Sequence, residues 1–409
     1  MEHEGHARVS LSLTWKRWVP PDLELDLHVQ LRPRQPWSLV RLPESLLRPL
    51  ARGLAIGWGL LTVSLWLPVG AGAPHLFWCV GIPSILLLLL ITGHELWRRI
   101  CPLAVVARLP QHLWSWGMGR GPGQPRRLDP GSWLARYHLV LQGGLLLLGL
   151  ALRLLLVNTH APSLALLFAL TMAAALVCGA LLPGKAWCQY LCPMGLVEAI
   201  LSGPRGLLGS RPRRTPSGRL SQSTCRTLLP DGGEANACVH CQAPCIDIDS
   251  EQTYWQSLRP GDLRSRLTWM YPGLVGVFFA LLAQPALPLP APRLLTVPAL
   301  LLAGSGASGM LLGLLHRLGL SRHRSRLLAT VLAGTVIIVS TDPTMGAAGG
   351  GATTLLRLAA LLALVIWWRR EWRRGLRHHS RDRVLLSLGR QLQHHLPPHL
   401  PDKIGRAHV

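Results

Sequence analysis

Acidic residues are scarce in this 409-residue chain, and charge of either sign is thin. Asp and Glu number 19 against 42 Lys and Arg, and the four together make up 15% of the sequence, where an ordinary soluble protein carries about 25%. That deficit excludes an ordinary soluble enzyme, and also a disordered chain, which needs high charge and low hydrophobicity. No Gly-rich nucleotide loop stands in a strand–helix context; Gly349-Gly350-Gly351 reads as a flexible turn between apolar blocks. No nucleophile–base set is legible. No secretory signal is expected, since the first 50 residues carry charges throughout and no apolar core precedes residue 53. Cysteines number only nine and are clustered, which excludes a secreted disulfide scaffold.

What the chain does have is apolar length. Hydrophobic residues are 49% of it and arrive in blocks, and a bilayer core of about 30 Å needs roughly 20 of them in a helix. Eight blocks qualify, at about 53–73, 76–94, 138–157, 163–183, 269–287, 294–315, 326–341 and 353–368. Pro298 interrupts the sixth and the seventh is short, so six to eight spans are expected, with those two as buried or re-entrant segments otherwise. Arg153 in the third block can snorkel to an interface.

The basic residues sort by connection. Pro74-His75, Asn158 to Pro162, Pro288 to Arg293 and Asp342 to Ala352 hold one basic residue between them, Arg293. Residues 95–137 hold seven Arg, and Arg369 to Arg383 hold seven more. The stretch 184–268 adds Lys185, Arg205, Arg211, Arg213, Arg214, Arg219, Arg226, Arg259, Arg264 and Arg266. The positive-inside rule then puts both termini and the large loops in the cytoplasm. The net charge of +23 is mostly a topology signal, with anionic lipid head groups as a secondary partner and no nucleic acid.

The fold class expected is an all-α polytopic membrane protein of about eight transmembrane helices, with a cytoplasmic Cys-rich metal-binding loop and a small N-terminal β-rich segment. That last feature comes from period-two alternation at Val9, Leu11, Leu13, Trp15 and at Leu23, Leu25, Leu27, Val29, Leu31. The chain divides into an N-terminal segment (1–50), two transmembrane hairpins with a Cys-Pro motif (51–183), a cytoplasmic metal-binding loop (184–268), four C-terminal helices (269–368) and a basic tail (369–409). Its final residues, 404–409, read as a sequence artefact.

Cys79 and Cys178 lie inside apolar blocks, where a lone Cys is usually a small hydrophobe. The other seven fall on the side assigned to the reducing cytoplasm, where clustered thiols read as metal ligands. Cys225, Cys238, Cys241 and Cys245 have the spacing C-x12-C-x2-C-x3-C. Four thiolates so spaced suit either a cubane cluster or a structural zinc. A second set, Cys101, Cys188 and Cys192, lies at the membrane surface in what looks like an internal repeat. Cys101-Pro102 and Cys192-Pro193 each follow a hairpin, and Trp97 stands where the second copy has Cys188. Proline after each Cys stops the loop and starts a helix. A fourth ligand for this set is not apparent.

GKAWCQYLCPMGLVE, residues 184–198, resembles the W-C-x3-C-P-x-G signature of NapH/NosR-type membrane polyferredoxins and related cytochrome-oxidase assembly ferredoxins. ACVHCQAPCIDID, residues 237–249, resembles their ferredoxin-like segment. The resemblance covers roughly residues 50–290. It implies [4Fe-4S] clusters and electron transfer at the cytoplasmic face of a bacterial inner membrane, often with a quinol or a partner reductase. The chain departs from the pattern. Its second run has three Cys rather than four and lacks Pro after Cys245, so Cys225 is recruited as fourth ligand, and the first membrane motif has Trp97 for its leading Cys. One cluster is therefore expected in the loop, with the membrane-surface thiols as a second place.

His75, His94, His138 and His160 lie at the two faces, where opposed pairs could hold a b-type haem; solvated interfacial His is the plainer reading, and haem is not expected. Asp247, Asp249 and Glu251 lower the potential of a neighbouring cluster or form a solvated turn. Lys185, Arg213 and Arg214 partly compensate its charge or face lipid, and Glu198 caps or pairs locally. The function expected is electron transfer between a membrane donor such as quinol and a redox partner protein, as a component rather than a complete enzyme. The competing class is a non-redox assembly factor, sensor or scaffold with a structural four-cysteine zinc or iron–sulfur site.

Overall fold

The computed structural model describes residues 40–67, 77–110, 113, 132–157, 160–182, 186–201, 208–210, 226–228, 234–236, 254–255, 257–259, 261–283, 293–340 and 350–395. The alternating stretches at 9–15 and 23–31 lie outside them.

The described chain is mostly helical. α1 is Glu44–Ser64, α2 Ile82–Ile100, α3 Pro102–Val106, α4 Trp133–Leu152, α5 Ala161–Leu181, α6 Pro193–Leu201, α7 Leu263–Leu282, α8 Arg293–Arg317, α9 Arg322–Ser340 and α10 Gly350–His395. A helix overlaps each of the eight apolar blocks. Five stretches among the described residues are long and apolar enough to cross a bilayer: Ser45–Ser64, Trp133–Val157, Ala161–Leu181, Leu263–Leu282 and Arg293–Arg317. α1 starts nine residues before the first block. Pro43 provides an extended cap, and the helix runs through Arg48 and Arg52 at its start, residues that hydropathy excludes but helix propagation accepts. Other starts are set by side-chain caps that satisfy open backbone N–H groups. The Ser132 side chain accepts from the Ala135 N–H at 3.3 Å, and Asp262 accepts from the Arg264 N–H at 2.7 Å.

Large apolar side chains point away from the protein along these helices. Val140 and Leu148 of α4, Leu166, Leu170 and Val177 of α5, and Leu295, Met310 and Leu311 of α8 are all exposed. A soluble monomer rarely exposes apolar patches on this scale; in a bilayer they meet lipid. The protein is a membrane protein on this ground. α10, at 46 residues, would be about 69 Å long at about 1.5 Å per residue, more than twice the bilayer core. Its basic half, from Arg369 onward, extends past the apolar stretch.

The main core joins all the long helices except α1 and α5. Leu86 and Leu90 of α2, Leu196, Val197 and Ile200 of α6, Phe278 of α7, Leu301 of α8, Ile338 of α9 and Trp367 of α10 pack in one cluster. The short α6 is thus buried inside the bundle, which matters because it follows Cys192-Pro193 directly. α7 and α8 meet through small residues: a methyl group on Gly273 would fall on the Gly304 carbonyl, and the Ser308 hydroxyl donates to the Trp269 carbonyl at 2.8 Å. Arg153 stacks on Trp78 with its guanidinium 3.2 Å from the ring centroid, which shelters its charge within the bundle.

Two short strand pairs are described. β1 (Val40–Leu42) runs parallel to β2 (Leu208–Ser210), with Val40 opposite Leu208. β3 (Arg226–Leu228) runs antiparallel to β4 (Glu234–Asn236), with Arg226 opposite Asn236.

Candidate metal centre

The repeat inferred from the two Cys-Pro units is visible in the backbone. Cys101 has φ −56 and ψ 126, and Cys192 has φ −63 and ψ 117. Both are extended, as a residue before proline must be, and each hands the chain to a short helix, α3 or α6. Upstream the copies differ. The Cys101 N–H closes an ordinary helical turn on the Trp97 carbonyl at 2.8 Å, whereas the Cys192 N–H reaches the Trp187 carbonyl, five residues back, at 2.8 Å. Trp187–Leu191 is therefore a π turn, a widened turn found mostly at functional sites. Gly195 of α6 sits close over it: a Cβ there would stand 2.7 Å from the Cys188 carbonyl. The Gln142 amide of α4 donates to the Gln189 carbonyl at 3.1 Å and pins the turn from the other side.

These elements gather thiols. Cys178, Cys188 and Cys192 are buried in one packed cluster with Ala104, Ala107, Ala175, Ala186, Trp187 and Tyr190, and the half-buried Cys101 packs against it. The repeat predicts a meeting of Cys101, Cys188 and Cys192; Cys178, read from sequence as an isolated small hydrophobe, joins the same cluster. No sequence signal marks it, because its proximity comes from how α5 packs. Among the described residues, no three His, Cys, Asp or Glu side chains are placed to hold a single metal ion. Cys225, Cys238, Cys241 and Cys245 lie outside the described residues. The chain enters the β3–β4 hairpin one residue after Cys225 and leaves it two residues before Cys238.

The site's charge comes from polar groups that sequence reasoning missed or undervalued. Trp97, at the position of the missing Cys, donates its indole N–H to Glu198 Oε1 at 2.8 Å. Glu198 Oε2 lies 3.4 Å from His94 Nδ1, and His94 Nε2 lies 3.4 Å from Arg98 Nη1. A break at Gly93 precedes His94, with φ 69 and ψ 177, which only glycine adopts without strain. Burial pushes the Cys101 thiol up, and the neighbouring Cys188 and Glu198 push it further. Burial likewise raises Cys192, with Glu198, Cys188 and Cys101 adding to it. Such thiols keep their protons until a metal displaces them. Arg98, Arg99 and Arg108, which flank Cys101 in sequence, are buried; Arg98 lies against His94, and Arg108 donates to the Ala104 carbonyl at 2.9 Å. A small pocket of about 20 Å³, room for one water, is lined by His94, Gln142, Cys188, Gln189 and Arg326 on one part and by Leu139, Leu196 and Ile200 on another.

The other histidines weighed for haem are engaged locally. His138 Nδ1 lies 2.7 Å from the Ala135 carbonyl and His160 Nδ1 2.7 Å from Ser163 Oγ; His75 lies outside the described residues.

The fold and these thiols define a class: a multi-helix membrane protein with a cysteine cluster at the ends of its helices. A family model described as a 4Fe-4S binding domain matches residues 165–214. The match takes in most of α5, the π turn, α6 and β2, and contains Cys178, Cys188 and Cys192. It does not reach Cys101 or the 225–245 set. The chain thus carries a segment similar to an iron–sulfur, ferredoxin-like domain. No curated protein and no solved structure matches it.

The residues here fit an iron–sulfur group. Buried thiols and the indole N–H of Trp187, buried with no hydrogen-bond partner among the described residues, suit a cluster with sulfur acceptors.

Proposed function

We propose that the protein carries electrons at the cytoplasmic face of a bacterial inner membrane, between a membrane donor such as quinol and a redox partner protein. In this reading eight helices span the bilayer and both termini are cytoplasmic. Cys225, Cys238, Cys241 and Cys245 hold one [4Fe-4S] cluster, and Cys101, Cys188 and Cys192 contribute to a second site at the membrane surface. The observation that carries the reading is the 4Fe-4S match over the very segment whose Cys188 and Cys192 are buried beside Cys101. The β3–β4 pairing supports Cys225 as a loop ligand, because it folds the spacer between Cys225 and Cys238 back on itself. Bound clusters supply one-electron chemistry. The protein sets their potential through nearby charge and burial, and holds them close to partners.

Anaerobic purification tests this. A brown protein that bleaches with dithionite and gives a reduced-cluster EPR signal is expected, with lower electron flux in membranes carrying Cys241→Ser. Colourless protein with stoichiometric zinc would overturn it in favour of a structural-zinc assembly factor or scaffold. Unchanged flux with altered gene expression in Cys241→Ser would replace the carrier with a sensor.

A further inference from the structure

We propose that Cys178 is the fourth ligand of the membrane-surface site, so that Cys101, Cys178, Cys188 and Cys192 together bind a second four-iron cluster. This rests on the reading above of Cys101, Cys188 and Cys192 as an iron-binding site, and it supplies the ligand that the repeat lacks.

The repeat itself cannot provide it. Where the second copy has Cys188, the first has Trp97, and the Trp97 indole is committed to Glu198. Cys79 is too far away. It belongs to the π turn Phe77–Gly81, which precedes the 19-residue α2, whereas Cys101 follows the other end of that helix. Cys178 is the remaining described cysteine, and packing delivers it. It sits in the last turn of α5, where the Leu182 N–H closes on the Cys178 carbonyl at 2.8 Å. The next residue, Gly179, lies so close to the Ala107 carbonyl that any Cβ would occupy the same space. Ala107 ends α3, the helix that starts at Cys101-Pro102, so this glycine seats the Cys178 end of α5 directly on the Cys101 unit.

Two further observations point to a ligand at this spot. Cys178, Cys188 and Cys192 are buried in one packed cluster, with Cys101 against it. The buried Trp187 N–H in the same cluster has no acceptor among the described residues, and a cluster sulfide or thiolate would provide one. The class of group follows from the 4Fe-4S match, which contains Cys178, Cys188 and Cys192; a four-iron cubane takes four thiolates, one on each iron.

The experiment compares iron and acid-labile sulfide per chain, with EPR, in the anaerobically purified full chain and in Cys178→Ala, Cys188→Ala and Cys79→Ala. Cys178→Ala should lose iron and show a three-iron signal or lose that cluster, as Cys188→Ala does, while Cys79→Ala matches the wild type. If Cys178→Ala keeps wild-type iron and spectra while Cys188→Ala does not, Cys178 is not a ligand, though the membrane-surface site stands. If Cys188→Ala also keeps them, the site itself fails and the proposal with it. A second measurement needs no substitution: thiol alkylation of the wild-type protein, mapped by mass spectrometry before and after removal of iron. Cys178 should become reactive together with Cys101, Cys188 and Cys192; unchanged reactivity would overturn the assignment.

Discussion

Gly179→Ala probes the contact that gathers the thiols. The added methyl would fall on the carbonyl oxygen of Ala107 and close to its carbon. A flexible side chain could swing aside, but a backbone carbonyl at the end of α3 cannot, so α5 must move off. Overpacking of this kind costs about 1–3 kcal/mol, and a rigid obstacle puts it at the upper end. Alanine returns up to about 1 kcal/mol through its helix propensity, leaving a net loss of about 2 kcal/mol. Gly273→Ala makes the same clash against the Gly304 carbonyl, in the α7–α8 contact and away from the thiols. Gly144→Ala meets nothing within 4 Å and should be neutral or slightly stabilising. Thermal unfolding in detergent and iron per chain are read together. Both clashing variants should unfold at lower temperature, and only Gly179→Ala should also lose iron from the membrane-surface site. Wild-type melting and iron in Gly179→Ala would refute the packing argument. Equal iron loss in Gly273→Ala would show that the effect is general instability.

Three other substitutions test the polar framework. Trp97→Phe strips Glu198 Oε1 of its buried indole donor and should cost about 1–3 kcal/mol in unfolding free energy; a loss below about 0.5 kcal/mol would mean the bond carries little. Arg326 donates to Ser257 Oγ at 2.6 Å and to the Ala199 carbonyl at 3.0 Å, and lies 4.4 Å from the Tyr254 ring. Arg326→Met should therefore loosen α9 from the end of the cysteine loop, and earlier protease cleavage near residue 254 is the expected sign. Burial raises the Tyr254 phenol, which contacts His323 Nδ1 at 3.0 Å. The folded phenol stays neutral where the unfolded one ionises, near pH 10, so its contribution is full below that pH and lost above it. The stability difference between wild type and Tyr254→Phe should be flat from about pH 7 to 9 and shrink above about pH 10; a difference that grows with pH would contradict the burial.

Much of the helical layout is readable from the chain, because a bilayer span is a local sum of apolar residues and needs no partner to be recognised. Its edges are less readable. α1 begins at Glu44 because Pro43 caps it and Arg48 and Arg52 are tolerated in a helix at an interface, which hydropathy counts as an ending. α2, α9 and α10 fall outside the five clear spans; α2 carries Arg98 and Arg99, α9 Arg326 and α10 Arg357. The Cys-Pro repeat was legible as well, since proline dictates the backbone of the residue before it wherever it occurs.

The sequence by itself determined where the apolar helices lie, which connections between them are rich in arginine, and that Cys101 and Cys192 each stand before a proline in matching units, with Cys188 where the first unit has Trp97. Only the tertiary structure decided that Cys178 belongs with them, that Trp97 turns to Glu198, and that His94 follows a break in its helix. The physical reason is that hydropathy and turn chemistry act between near neighbours. Closeness between separate helices depends on a missing side chain at Gly179 and on buried polar groups finding one another across the bundle.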